Sequence, residues 1–200
     1  MIYKKFLNRS KLRGRPRSEL SRKAIIQATI SLLEKKGYEN LKIVDVARNA
    51  GVGKQTIYRW WRSKSELVIE AVLEETAKQI RIPDTGSISR DLRELIRASF
   101  HRLRNTSSGT ILAGLLMAGR KDAATLKIFR EQFIEARRDL IRGIFERYQD
   151  SQEIRRGINI ELIMDLIYGA MWYRLLMEHA PLDDDFADEL VDHILILILK

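Results

Sequence analysis

Apolar residues along the chain recur three and four positions apart, the spacing of one face of an α-helix. Ala24, Ile25, Ala28, Leu32 and Leu33 share such a face. That helix is expected to be capped by Ser18 or Ser21 and to end before Gly37. Short helices are predicted over 43–49 and 54–60, on either side of Gly51-Val52-Gly53. A fourth helix follows Ser63, with Glu66 completing a capping box, and continues to about residue 80. Pro83, Asp84, Gly86 and Ser87 then interrupt the pattern. Beyond them the spacing predicts helices over 88–104, 109–119, 122–149, 158–178 and 183–199. Period-two alternation persists nowhere. The apolar run from Ile194 to Leu199 is read as a buried helix, because a lone strand would lack a partner. The expected fold is all-α, with about nine helices: an arm over 1–17, a helical domain over 18–82 and a second over 83–200.

Charge changes this picture by dividing it. The 200 residues hold 36 Lys and Arg against 27 Asp and Glu, a formal net charge of +9. Residues 1–65 hold 17 of the basic residues and only 4 acidic ones, so the cationic excess lies entirely in the first third. That asymmetry points to a polyanion-binding module joined to a mildly acidic remainder. The absence of cysteine excludes disulfide scaffolds, thiolate metal sites and cysteine nucleophiles. No apolar stretch approaches the ~18 residues of a membrane span. The basic start lacks an apolar segment after it, which predicts no signal peptide and a cytoplasmic location.

Two short helices joined by a glycine-containing turn have the layout of a helix-turn-helix. Ala47, Ala50 and Gly51 are small enough for the helices to cross closely. The second helix would enter the major groove with its first turn against base edges. Lys54, Gln55 and Thr56 sit there, a donor for guanine, a bidentate partner for adenine and a methyl for thymine. Tyr58, Arg59, Arg62 and Lys64 suit phosphates. Val46, Ile57, Trp61 and Leu67 should form the small core, and Trp60 fits either core or surface.

Residues 24–67, and VARNAGVGKQTIYRWWRSK within them, resemble the TetR family of bacterial transcriptional regulators. The arm RGRPR at 13–17 is also common in that family. The resemblance implies base or near-base contacts from Gln55, Thr56 and Tyr58, and phosphate contacts from Tyr58 and Lys64. It also implies that Arg13, Arg15 and Arg17 reach along the backbone or a minor groove. Lys42 stands where the family commonly has a Thr that meets a phosphate; it keeps the charge contact and loses the hydroxyl cap. Gly53 stands where a Ser or Thr commonly caps the recognition helix.

Residues 170–195 resemble one branch of the family's C-terminal domains. The resemblance implies a homodimer formed by the last two helices, and an effector pocket enclosed by the earlier ones. Interface candidates are Leu166, Ala170, Tyr173, Leu176, Leu190, Ile194 and Leu197. Pocket candidates are Leu112, Leu116, Met117, Phe129, Phe133 and Trp172. It further implies a repressor on a palindromic operator of double-stranded DNA, released by a small, mostly apolar effector. The alternative is an activator or a protein-gated regulator of the same fold.

The remaining motifs add no chemistry. Gly51-x-Gly53-Lys54 lacks the first glycine of a phosphate loop. Asp183, Asp184 and Asp185 are read as a helix cap, and His101, His179 and His193 have no metal-ligand spacing. Without a nucleophile–base pair, the chain is expected to be no enzyme and to carry neither cofactor nor metal.

Overall fold

The computed structural model describes residues 16–79, 82–149, 151 and 153–200. Among them, nine helical stretches follow in order: α1 (Pro16–Asn40), α2 (Ile43–Asn49), α3 (Lys54–Trp60), α4 (Lys64–Gln79), α5 (Ile88–Asn105), α6 (Ser108–Lys121), α7 (residues 123–148), α8 (Ile160–Met177) and α9 (Asp184–Ile198). Helix α1 begins at Pro16, ahead of both expected caps, because proline suits the first helical position, where its missing N–H would be unpaired anyway. Its regular path stops at Gly37, whose φ of 70° places it in the left-handed region. The expected interruption is also present: residues 82–87 are non-helical before α5.

Contacts group the chain into two compact units. One comprises residues up to Lys78 together with Thr110–Ala136, and the other comprises Gln79–Gly109 with Arg137–Lys200. In the first unit α1 packs on α2 and α3, and α2 packs on α3. Val46, Ile57, Trp61 and Leu67 are all buried there, as their spacing required. Helix α6 and the first half of α7 belong to this unit, although they follow the interruption in sequence.

The second unit is built on one apolar cluster. It draws Leu92, Ile96 and Phe100 from α5, Leu140, Ile144 and Phe145 from α7, Met164 and Ile167 from α8, and Val191, Ile194 and Ile198 from α9. Each such side chain contributes about 1.5–3 kcal/mol by leaving water. Arg93 and Arg97 of α5 add ion pairs to Asp188 and Asp192 of α9. Asp183 caps α9 by accepting the Phe186 N–H at 3.0 Å, and Asn159 caps α8 by accepting the Leu162 N–H at 3.1 Å.

Two features depart from regular helix. Within α7 the turn Phe129–Ile134 is a π-helix between α-helical Ala123–Ile128 and Glu135–Tyr148. The final apolar run is helical through Ile198, as expected. Leu199 then forms an isolated antiparallel bridge with Ile154, with Arg155 N–H donating to the Ile198 carbonyl at 2.8 Å.

Candidate nucleic-acid interface

The turn between α2 and α3 is closed by its own backbone. Val52 N–H donates to Ala47 O at 2.9 Å and Gly51 N–H to Arg48 O at 3.2 Å, the paired bonds of a Schellman ending. That ending requires Gly51 at φ 65°, where a Cβ costs roughly 1 kcal/mol. Gly51→Ala is therefore expected to lower the midpoint of thermal unfolding by about 2–4 °C. An unchanged melting curve would show that the turn relaxes without cost.

Helix α3 presents two faces. Ile57 is buried, while Lys54, Gln55, Tyr58 and Arg59 are exposed and pair at i,i+4 spacing on the opposite side. Tyr58 keeps 52% of its surface in solvent, an unusual outlay for an aromatic ring beside a core. Thr56 is half-buried. Gly53 and Lys42 occupy the N-cap positions of α3 and α2, and neither supplies a side-chain cap bond. Lys42 is exposed and so is Arg62, whose backbone N–H donates to Glu66 at 2.7 Å. Ser63 Oγ accepts the Glu66 N–H at 3.1 Å, which is one half of the expected capping box; the Glu66 carboxylate turns to the Arg62 N–H instead of that of Ser63. Arg13 and Arg15 lie outside the described residues, as does the side chain of Arg17.

Lys64 is placed differently from its sequence assignment. Its ammonium donates to the carbonyls of Tyr38 at 2.8 Å and Leu41 at 3.0 Å, with Glu39 O at 3.4 Å, and lies 4.3 Å from the centre of the Tyr38 ring. The residues after Gly37 leave carbonyls without helical partners, and a lysine ammonium has three protons to offer them. Burial pushes this ammonium below the usual lysine range. Sequence reasoning left out Arg48, which exposes its guanidinium on α2; counting cations on that outer face would have found it.

The end of α3 is held by a network that sequence reasoning also missed. Trp61 donates its indole N–H to Glu70 of α4 at 2.9 Å, and Arg22 of α1 bonds the other oxygen of the same carboxylate at 2.5 Å. Arg22 also pairs with Glu74. Burial raises the Glu70 pKa above its usual value against the pull of these donors. Trp60 is half-buried, with its ring centroid 6.2 Å from that of Trp61.

The other candidates fall in both units. Leu112, Phe129 and Phe133 are buried in the first, with the two phenyl rings stacked at 5.2 Å. Leu116 is half-buried there and Met117 is exposed, whereas Trp172 belongs to the second unit and is half-buried. On α8, Leu166 and Tyr173 are exposed, together with Leu162 and Met177. Ala170, Leu176 and Leu190 are half-buried, and Leu197 is 48% exposed. Ile194 is corrected: it shares the inward stripe of α9 with Ala187, Val191 and Ile198 and is 2% exposed, so it serves the core of the second unit.

A compact helix-turn-helix with exposed Lys, Gln, Tyr and Arg on its second helix, among described elements that are all helical, defines a DNA-binding transcriptional regulator. The sequence model described as "Bacterial regulatory proteins, tetR family" matches residues 25–71, and "Tetracyclin repressor-like, C-terminal domain" matches residues 82–194. The uncharacterized HTH-type transcriptional regulator YdeS of Bacillus subtilis is 34% identical over 179 residues, 90% of each chain. A DNA-binding transcriptional repressor TetR of Mycobacteroides abscessus is 26% identical and covers 92% of this chain and 96% of its own. The crystal structure of TetR family transcription regulator SCO0332 superposes with a TM-score of 0.80 at 31% identity, covering 88% of this chain and 97% of that one. The chain belongs to the TetR family of bacterial transcriptional regulators.

Proposed function

We propose that the protein acts in the cytoplasm as a homodimeric repressor on a palindromic operator and leaves it when a small, mostly apolar effector binds. The observation that carries this reading is the outward face of α3. Lys54, Gln55, Tyr58 and Arg59 remain in solvent while Ile57 and the Trp61–Glu70–Arg22 network fix the helix beneath them. Lys42 and Arg62 flank that face as phosphate contacts, and Arg13, Arg15 and Arg17 supply the arm. Two copies related by a twofold axis place recognition helices about 34–36 Å apart, one turn of duplex. The apolar side chains exposed on α8 and α9 support that pairing. Leu112, Leu116, Met117, Phe129 and Phe133 of the first unit are the proposed effector contacts, apolar groups that suit an apolar ligand. Effector binding releases the operator by favouring a conformation whose two recognition helices no longer match the half-sites.

Selection of bound duplexes from a random pool tests the reading. A palindromic consensus is expected, bound at physiological salt at least about a thousandfold more tightly than random duplex. Equal affinity for both would overturn it. Tyr58→Ala is expected to weaken consensus binding by about tenfold or more, the cost of one good contact, while the oligomeric state stays unchanged. Unaltered affinity in a fluorescence titration would remove Tyr58 from the interface.

A further inference from the structure

Helix α2 is seven residues long, yet it keeps a branched apolar side chain in solvent. Val46 and Ala47 turn inward and are buried, whereas Val44 stands off that face and is 38% exposed. Among the large apolar side chains of α2 and α3, Val44 and Tyr58 are the exposed ones. In water a valine weakens so short a helix, because a β-branched side chain is a poorer helix former than alanine.

The groups around Val44 on α2 are charged. Arg48 follows it by four residues, on the same stripe of the helix, with 76% of its side chain in solvent. Lys42 precedes it by two residues and is exposed. Asp45 is engaged by Lys36 of α1 at 3.0 Å and lies 4.0 Å from Arg48. Val44 is thus a single apolar group between two cations, without the apolar surroundings of a protein-docking patch. The edge of a major groove offers the complementary order. Phosphates run along its rim, and inside it the thymine 5-methyl group is the apolar feature of the base edges.

Helix α2 is set to reach that edge. In a helix-turn-helix the second helix lies in the major groove and the first crosses the backbone. Val44 is on the first turn of α2, about one helical turn from Arg48, so a cation can meet phosphate while the valine meets the adjoining base. A helical valine is held largely to one rotamer, so its two methyl groups are in place before the duplex arrives. Thr56, the methyl-bearing residue expected to touch thymine, is half-buried.

We infer that Val44 is a specificity-determining residue that packs on the 5-methyl group of one thymine in each half-site. The inference rests on the operator reading and adds a base read by α2 rather than by α3. Deoxyuridine removes that methyl group and leaves the hydrogen-bonding edge of the base unchanged, so it is the probe. Each thymine of the selected consensus is replaced in turn, symmetrically in both half-sites. At one position the wild type is expected to lose about fourfold in affinity per half-site, the order of one methyl group returned to water. Val44→Ala should bind the thymine duplex more weakly by a similar factor and no longer distinguish thymine from uracil at that position, a non-additive pair. Val44→Ile should keep the distinction. Because the readout is a ratio of two affinities of the same protein, a change in its stability does not imitate it.

A wild type that binds every uracil-substituted consensus as tightly as the thymine form overturns the assignment, as does a consensus without thymine. A uracil penalty that persists undiminished in Val44→Ala also overturns it and gives the methyl group to another residue, with Thr56 the first candidate. All three results leave the operator reading standing. Failure of the wild type to select any duplex overturns the operator reading and this assignment with it.

Discussion

Leu166→Asp combined with Leu197→Asp is expected to convert the protein to a folded monomer with little affinity for its operator. Leu166 and Leu197 are exposed in the protomer, so a carboxylate at either costs its own fold little. In a twofold interface each substitution occurs twice, and each carboxylate is taken out of water without a partner. At about 3 kcal/mol for each copy of the substituted pair, the dimer loses about 6 kcal/mol, or roughly four orders of magnitude in dissociation constant. A monomer engages one half-site alone and forfeits the roughly 10²–10⁴ gain of linked binding. Sedimentation at micromolar concentration with far-ultraviolet circular dichroism checks both parts of the expectation. A dimer of normal stability would remove α8 and α9 from the interface. Ile194→Asp is the contrasting case: its side chain lies in the protomer core, so that variant should lose helical signal rather than merely dissociate.

That contrast shows where the sequence was legible and where it was not. Helices α2 and α3 form over the residues predicted for them, because the signals there are dense and local: small residues at the crossing and Gly51 in the left-handed region. Ile194 failed for a specific reason. It sits in an unbroken apolar run, and a run apolar at every position has no phase, so it does not reveal which side faces the core. Lys64 follows a helix cap and reads as an exposed cation. Its true partners are carbonyls more than twenty residues earlier, brought to it by the tertiary fold. The π turn is invisible for a related reason, since Phe129 and Phe133 keep the four-residue spacing of an ordinary helix. Asp91 reads as a polar position on α5, and nothing local announces that it is buried.

Asp91→Asn is expected to lower the melting temperature by about 6–12 °C at pH 7, and the deficit should fade on acidification. The carboxylate is buried and fully engaged. One oxygen accepts Thr85 N–H at 2.8 Å and Thr85 Oγ–H at 2.7 Å, and the other accepts Tyr148 O–H at 3.0 Å. Arg147 stands 3.4 Å away, itself bonded to Asp84 and to the Pro83 carbonyl. Asp91 thus ties residues 83–85, the stretch that follows α4 in the chain, to α5 and to the end of α7. Burial alone would raise its pKa, but the bonds from Thr85 and Tyr148 and the charge of Arg147 outweigh burial and hold it below the usual carboxylate range. An amide cannot accept at both ends, so Asn leaves donors unsatisfied at a cost of about 3 kcal/mol, which for a chain of this size gives the stated shift. A depressed pKa contributes stability that is complete above the unfolded value, about 3.9, and is lost as pH falls through the folded value. The wild type should therefore destabilise more steeply than Asp91→Asn below about pH 4, and the two melting curves should converge there. A deficit that stays constant from pH 7 to pH 3 would assign the loss to packing, and the charge of Asp91 would then have no part in holding residues 83–85.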